Sequence, residues 1–309
     1  MPWSPYIGIG RSLLAMSLLL TLILTPANVL FVGLFSNGPG YPCSGIRAAS
    51  LVCLTGLDDI WIFYVVSIAV LSAVVLGIFP RITSIPFAYI AFSVVSAAAL
   101  ADGGDQVILV LAILFVPYSF CDRRISMWRF HGASAQNSRQ ALVATAVSQV
   151  IRIQISIVYL VSGLSKLGTD AWVDGSAIYY WVRHPIFGSP EWLRPIVYPV
   201  TGTIVGSAVV TWGTLLLECT LGISMLLGAN KRLKFLLPVG LVFHFAIAIV
   251  MGITSFSIAM AGALVLLLVP HDFAWRDFRS FWFIRPWGTG FCWLKTKTER
   301  FEVSPKNVC

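Results

Sequence analysis

Charge is what this 309-residue chain has least of: charged residues make up 11% of it, against about a quarter in a soluble domain. A solvated globular surface is therefore excluded. No H-E-x-x-H sequence, Cys-x-x-Cys pair or zinc-type spacing occurs, and no serine or cysteine protease constellation is legible. Repeats of fixed period and low-complexity segments are also missing, so solenoids and disordered tethers fall away. No metal site and no nucleic-acid partner are expected: the net charge of +8 has no nucleic-acid module attached to it.

Apolar runs are abundant. Hydrophobic residues form 58% of the chain and mean hydropathy is +0.85. They gather in eight runs, most near the roughly 20 residues that cross a bilayer: Ser12–Phe35, Ile60–Phe79, Ile85–Leu100, Val107–Phe120, Thr145–Gly163, Ile204–Leu227, Phe235–Ile253 and Phe256–Pro270. The predicted fold class is an all-α, polytopic membrane helix bundle of about eight spans. Residues 1–270 form the bundle and 271–309 a basic, aromatic tail on the inner membrane surface.

Lysine and arginine set the orientation. With the N-terminus inside, the inner segments hold Arg11, Arg81, the 121–140 loop, the Asn230–Lys234 turn and the tail. The outer ones hold only Arg47, Lys166, Arg183 and Arg194. Both termini are thus placed in the cytoplasm, against anionic membrane lipids. Cys43 and Cys53 share the first outer loop, on the oxidising side, and are expected to bridge; Cys121, Cys219, Cys292 and Cys309 are not.

Ionisable residues inside spans are costly and mark candidate sites. Arg152 shares a helical stripe with Gln149 and Ser156, and Glu218 lies at a similar apparent depth, so an Arg152–Glu218 ion pair fixing two helices is expected. His244 is either a neutral core imidazole or a site residue that relays protons or orients a substrate. It has no second ligand at helical spacing for a metal. Lys166 closes the fifth span, where a lysine can snorkel to the headgroups. Against snorkelling stands the next segment, about 166–203, rich in aromatics and punctuated by Gly and Pro. Such a segment is expected to fold back as a re-entrant or interfacial lid, under which a desolvated amine serves as a base. Ser162, four residues before Lys166, gives only a weak case for a Ser-Lys dyad.

The stretch "VYLVSGLSKLGTDAWVDGSAIYYWVRHPIFGSP", followed by "WGTLLLE" and "VFHFAIAIVMGITSFSIAM", resembles the transmembrane domain shared by vitamin K-dependent gamma-carboxylases and bacterial membrane proteins, the HTTM superfamily, with its core at about 145–270. The opening "PWSPYIGIGRSLLAMSLLLTL" and "PCSGIRAASLVCL" look more like the bacterial sporulation-delaying protein B family. That resemblance implies a multi-pass protein of the bacterial plasma membrane. Its role would be to produce and mature a secreted antimicrobial peptide toxin, with the toxin precursor peptide and a small companion membrane protein as partners. From the carboxylases it carries over Lys166 as the catalytic base and His244 as the histidine of the "FH" motif. Trp172, Asp174, Tyr179, Arg183 and His184 are the substrate-binding candidates in the lid motif. The implied cofactor is a reduced quinone, menaquinol or vitamin K hydroquinone. The chain ends without the large lumenal domain with which carboxylases hold a substrate. Three functions stay open: toxin maturation, a quinol-dependent peptide-modifying enzyme, and a peptide-holding chaperone or immunity protein.

Overall fold

The computed structural model describes residues 3–35, 43–99, 102–128, 138–227 and 232–269. The tail from 270, with Cys292 and Cys309, lies outside them. Among the described residues the chain is helical, with one isolated bridge between Ile78 and Ser126 and no strands. Helices occupy all eight apolar runs: α1 Pro5–Leu24, α2 Ile60–Val75, α3 Pro80–Ala97, α4 Gly103–Cys121, α5 Ser138–Lys166, α6 Ile204–Gly222, α7 Leu237–Met251 and α8 Thr254–Leu268.

Among the described residues, five helical stretches are long and apolar enough to cross a membrane: α1, α4, residues 139–166 of α5, α6 with its extension to Leu226, and α7 from Lys234. The apolar α2 and α8 are shorter, at 16 and 15 residues. The 18-residue α3 contains Arg81 and Pro86 and is less apolar.

Local chemistry moves two boundaries. Ser4 accepts the Tyr6 amide at 3.4 Å and Pro5 occupies the first turn, so α1 starts a full two turns before Ser12. It stops at Leu24, ahead of Thr25 and Pro26, because a residue before proline avoids helical backbone. Residues 27–35 form two further single turns, so the first run is not one continuous helix. At α4 the Asp102 carboxylate accepts the Asp105 amide at 2.9 Å, and this cap extends the short fourth run to 19 residues.

The last helix is the hub: α8 packs on α1, α4, α5 and α7. Its closest approach is to α1. A Cβ on Gly262 would lie 2.9 Å from the Gly10 carbonyl oxygen, and one on Gly10 2.4 Å from Leu266. Two glycines at one crossing let the backbones touch, the way small residues pack membrane helices.

Arg11 is not the exposed flanking charge that the topology reading requires. It is fully buried in α1, donates to Thr83 Oγ1 at 3.0 Å and to Met127 Sδ at 3.6 Å, and lies over the Phe87 ring. Beside it a buried Arg124–Asp122 pair closes at 2.8 Å, with Arg124 also donating to the carbonyls of Trp3 and Met127. These bonds tie the N-terminus to the segment after α4.

A disulfide joins Cys43 and Cys53, with Cα atoms 5.6 Å apart. The stapled loop sits on α3: Val52 is fully buried, the Leu51 amide donates to Ser93 Oγ at 2.9 Å, and Tyr89 Oη donates to the Ala49 carbonyl at 2.7 Å. Cys121 and Cys219 are free thiols.

Candidate functional site

The site grows from one face of α5. Tyr159, Ser162 and Lys166 recur at three- and four-residue spacing, which stacks them on a single helical stripe. Gly163 turns the neighbouring face toward α6, where a Cβ would lie 2.8 Å from Cys219 Sγ. That close approach brings Glu218 of α6 against the stripe. Lys166 Nζ donates to Glu218 Oε2 at 2.6 Å, to Ser162 Oγ at 2.9 Å and to the Ser162 carbonyl at 3.1 Å. Ser162 Oγ also donates to Glu218 Oε2, at 3.2 Å. The Trp172 ring covers the amine, its centroid 5.3 Å away. Two turns back along α5 from Lys166, Tyr159 Oη meets His244 Nε2 of α7 at 2.9 Å. His244 is 2% exposed, and its Nδ1 has no hydrogen-bond partner among the described residues.

The expected Arg152–Glu218 pair is corrected by this arrangement. Glu218 pairs with Lys166, while Arg152 donates to the carbonyls of Leu266 and Val269 at the end of α8. The error lay in depth. Arg152 and Lys166 are fourteen residues apart on one helix, roughly 21 Å at helical rise, and Glu218 is fourteen residues into α6. Lys166 therefore stands level with the C-terminal third of α6. Its amine turns inward to a carboxylate, so the snorkelling geometry is not the one adopted.

Between α5 and α6 the chain folds back along the N-terminal half of α6 through short helices Asp170–Val173, Ala177–Trp181 and Arg194–Thr201. Gly175, at φ 82°, is pressed onto Ala208, where a Cβ would meet backbone at 3.0 Å. Ser207 Oγ donates to the Gly175 carbonyl, Trp212 Nε1 to the Val173 carbonyl, and Thr211 Oγ1 accepts the Ile178 amide. The W-x-D-G motif is thus a docking turn, and its glycine is needed both for the left-handed φ and for the close approach.

The five substrate-binding candidates divide. Only Trp172 reaches Lys166. Asp174 is exposed and accepts both the amide and the hydroxyl of Ser176, at 2.8 and 2.6 Å; those two bonds hold its carboxyl below the ordinary 3.8. Arg183 is sandwiched between the Tyr179 and Tyr198 rings, 3.9 and 4.3 Å from their centroids, and donates to Thr201 Oγ1 and the carbonyls of Tyr179 and Tyr198. His184 Nδ1 accepts the amides of Ile186 and Phe187, each at 3.2 Å. Asp174, Tyr179, Arg183 and His184 therefore hold the segment to itself.

Two cavities flank the cluster. One, of about 570 Å³, is lined by Lys166, Trp172, Trp181, Val200 and Ala246 among others. The other, of about 480 Å³, is lined by Tyr159, Ser162, His244 and residues of α4. Glu218, Phe243, Ile247 and Phe256 line both. Sequence reasoning missed Tyr159 and the two phenylalanines. The seven-residue step from Tyr159 to Lys166 was the available signal, since it returns to the same helix face.

Among the described residues no group of three or more His, Cys, Asp or Glu side chains converges as a metal site would need. Chemically, the cluster offers an amine held by a carboxylate and a hydroxyl in an apolar wall, and an imidazole with one free nitrogen.

Residues 47–273 match the HTTM domain. The chain is 32% identical over 274 residues to the uncharacterised protein YitO of Bacillus subtilis (strain 168), covering 88% of this chain and 87% of that one. It is 31% identical over 274 residues to the sporulation-delaying protein SdpB of the same organism, covering 87% and 82%. No solved structure matches. With most of the chain inside these matches and its apolar helices long enough to cross a bilayer, the protein belongs to the SdpB-like HTTM-domain family of membrane proteins.

Proposed function

We propose that this chain acts in the bacterial plasma membrane in producing and maturing a secreted peptide toxin of the sporulation-delaying type. In this reading it handles the toxin precursor peptide alongside a small companion membrane protein. The observation that carries the reading is the similarity to SdpB across 87% of the chain. Eight membrane crossings, cytoplasmic termini and a basic tail on the inner leaflet complete the proposal, with residues 167–203 as an outer lid over the site.

The working groups are Lys166, Glu218 and Ser162. The carboxylate and hydroxyl fix the amine at the cavity wall, and Trp172 shields it, so a substrate group placed there meets one oriented amine and one oriented carboxylate. In such a pair a proton can pass between substrate and amine while the carboxylate balances the charge.

A second reading, a quinol-dependent modifying enzyme, is favoured by His244, which lines the smaller cavity and whose buried Nδ1 has no hydrogen-bond partner among the described residues. A reduced quinone would be held there with its ring against Tyr159, Phe243, Phe256 and His244. When bound, it would supply the oxidative driving force for proton removal. The chain's own part is to orient the amine, exclude water and hold the proton between Lys166 and Glu218.

The test is complementation of cells lacking their own copy. Lys166→Met is expected to insert at wild-type abundance yet lower mature peptide in the medium, measured by mass spectrometry, by about a hundredfold or more. Normal maturation with Lys166→Met would sink the catalytic role. If deletion of residues 167–203 alone then abolished maturation, the peptide-holding alternative would stand.

A further inference from the structure

The larger cavity has a side entrance. Ile196 and Val200, from the short helix before α6, line it and are 66% and 54% exposed. Ala246 of α7 lines it and is exposed as well. Next to this opening α7 presents Val242 and Phe245, 66% and 65% exposed, and an apolar exposed face on a membrane-crossing helix is covered by lipid. The opening therefore faces the bilayer and not the aqueous side.

Charge narrows what can enter. Lys166 and Glu218 are the charged groups in the wall, and they neutralise each other at 2.6 Å. A carboxylate brought in would be buried beside Glu218, and a cation would compete with Lys166 for it; either leaves an uncompensated charge at depth. An uncharged peptide segment meets no such cost. Its backbone amides can bond to the pair and to the acceptor lone pairs of Thr201 and Thr214, which also line the wall, whereas an acyl chain would leave these groups without use.

We infer that the Lys166–Glu218 site admits its substrate sideways from the bilayer, between the 194–201 helix and α7, as a short uncharged apolar segment of a membrane-inserted peptide. A glutamate-bearing segment is rejected. The inference rests on the maturation reading for the identity of the peptide, but its geometry can be tested separately.

The probe is a synthetic Leu/Ala transmembrane peptide of about 20 residues with a photoreactive leucine at its centre, reconstituted with the full chain in phosphatidylethanolamine and phosphatidylglycerol nanodiscs. Cross-links are mapped by mass spectrometry. The apolar peptide is expected to label the 194–201 helix and α7, and a version with glutamate beside the photoreactive residue to label about a hundredfold less. Val200→Trp, which fills the entrance from an exposed position, is expected to reduce labelling about tenfold with unchanged thermal melting. Equal labelling by the glutamate peptide, or labelling indifferent to Val200→Trp, overturns the inference. So does exclusion of the peptide by a diazirine-tailed phospholipid that labels the same residues. Loss of maturation in Lys166→Met without any lateral cross-link defeats sideways entry and leaves the maturation reading standing; cross-linking together with normal maturation in that variant does the reverse.

Discussion

Two sets of buried charge hold this bundle together, and they are built differently. Arg124 closes on Asp122 and on backbone carbonyls, Arg11 beside them closes on Thr83 and Met127, and neither cavity reaches them. Around Lys166, Glu218 and His244 the charges and the imidazole line open space. Burying a charge is expensive in either place. The first set fixes the N-terminus to the bundle; the second leaves an amine and a carboxylate in a cavity wall where another molecule can reach them. Cavity access, more than the presence of buried charge, is what distinguishes site from scaffold here.

The largest expected effect separates the two sets most sharply. Asp122→Asn strands Arg124, whose side chain is 1% exposed, and breaking a buried pair costs about 3–5 kcal/mol; little folded protein should survive extraction, as size-exclusion profiles in detergent would record. Glu218→Gln should keep the fold, with a loss of about 1–2 kcal/mol in thermal unfolding, because the Lys166 side chain is 21% exposed and keeps both bonds to Ser162. Equal destabilisation by the two substitutions would erase the distinction. Next comes Lys166→Met combined with Glu218→Leu, which replaces the ion pair by apolar volume. Such a swap is neutral or stabilising by about 1–4 kcal/mol. Melting at or above the wild-type temperature with maturation abolished is the expected outcome; a protein that melts low would make the pair a scaffold element like Arg124–Asp122.

Much of this was legible before any coordinates. The eight apolar runs each became helix, since hydrophobicity over such lengths leaves the backbone no other way to satisfy its hydrogen bonds in lipid. Lys166, Glu218 and His244 stood out individually for the same energetic reason. What could not be read was who faces whom. Pairing Arg152 with Glu218 assumed that α6 begins level with the end of α5, yet the folded-back segment packs along the N-terminal half of α6 and the end of α5 meets Glu218. Arg11 looked like a flanking charge because its partners, Thr83 and Met127, lie 72 and 116 residues away. The polar lid residues Asp174, Arg183 and His184 carried the composition of a binding surface, but their bonds run to Ser176, Tyr198 and the Phe187 amide. Local sequence does not reveal that a loop is satisfying itself.

The smallest effect gives the finest comparison, because each set contains one hydroxyl that bonds a cation. Thr83 Oγ1 accepts from Arg11 at 3.0 Å and Ser162 Oγ from Lys166 at 2.9 Å, so the two bonds start out equal in length. Thr83→Val keeps the shape and leaves a guanidinium N–H without its acceptor in a sealed region, where a hydrogen bond to a charged group is worth about 1.5–3 kcal/mol. Ser162→Ala removes the same kind of bond beside a cavity, and Lys166 keeps both Glu218 and the Ser162 carbonyl; a loss below about 1 kcal/mol is expected. Maturation should respond in the opposite order, unaffected by Thr83→Val in whatever protein folds and slowed by Ser162→Ala, since the freed amine swings about its remaining two bonds and loses its fixed direction. Thermal melts and peptide yields on the same two variants therefore test whether stability and function load onto different hydroxyls of one bundle.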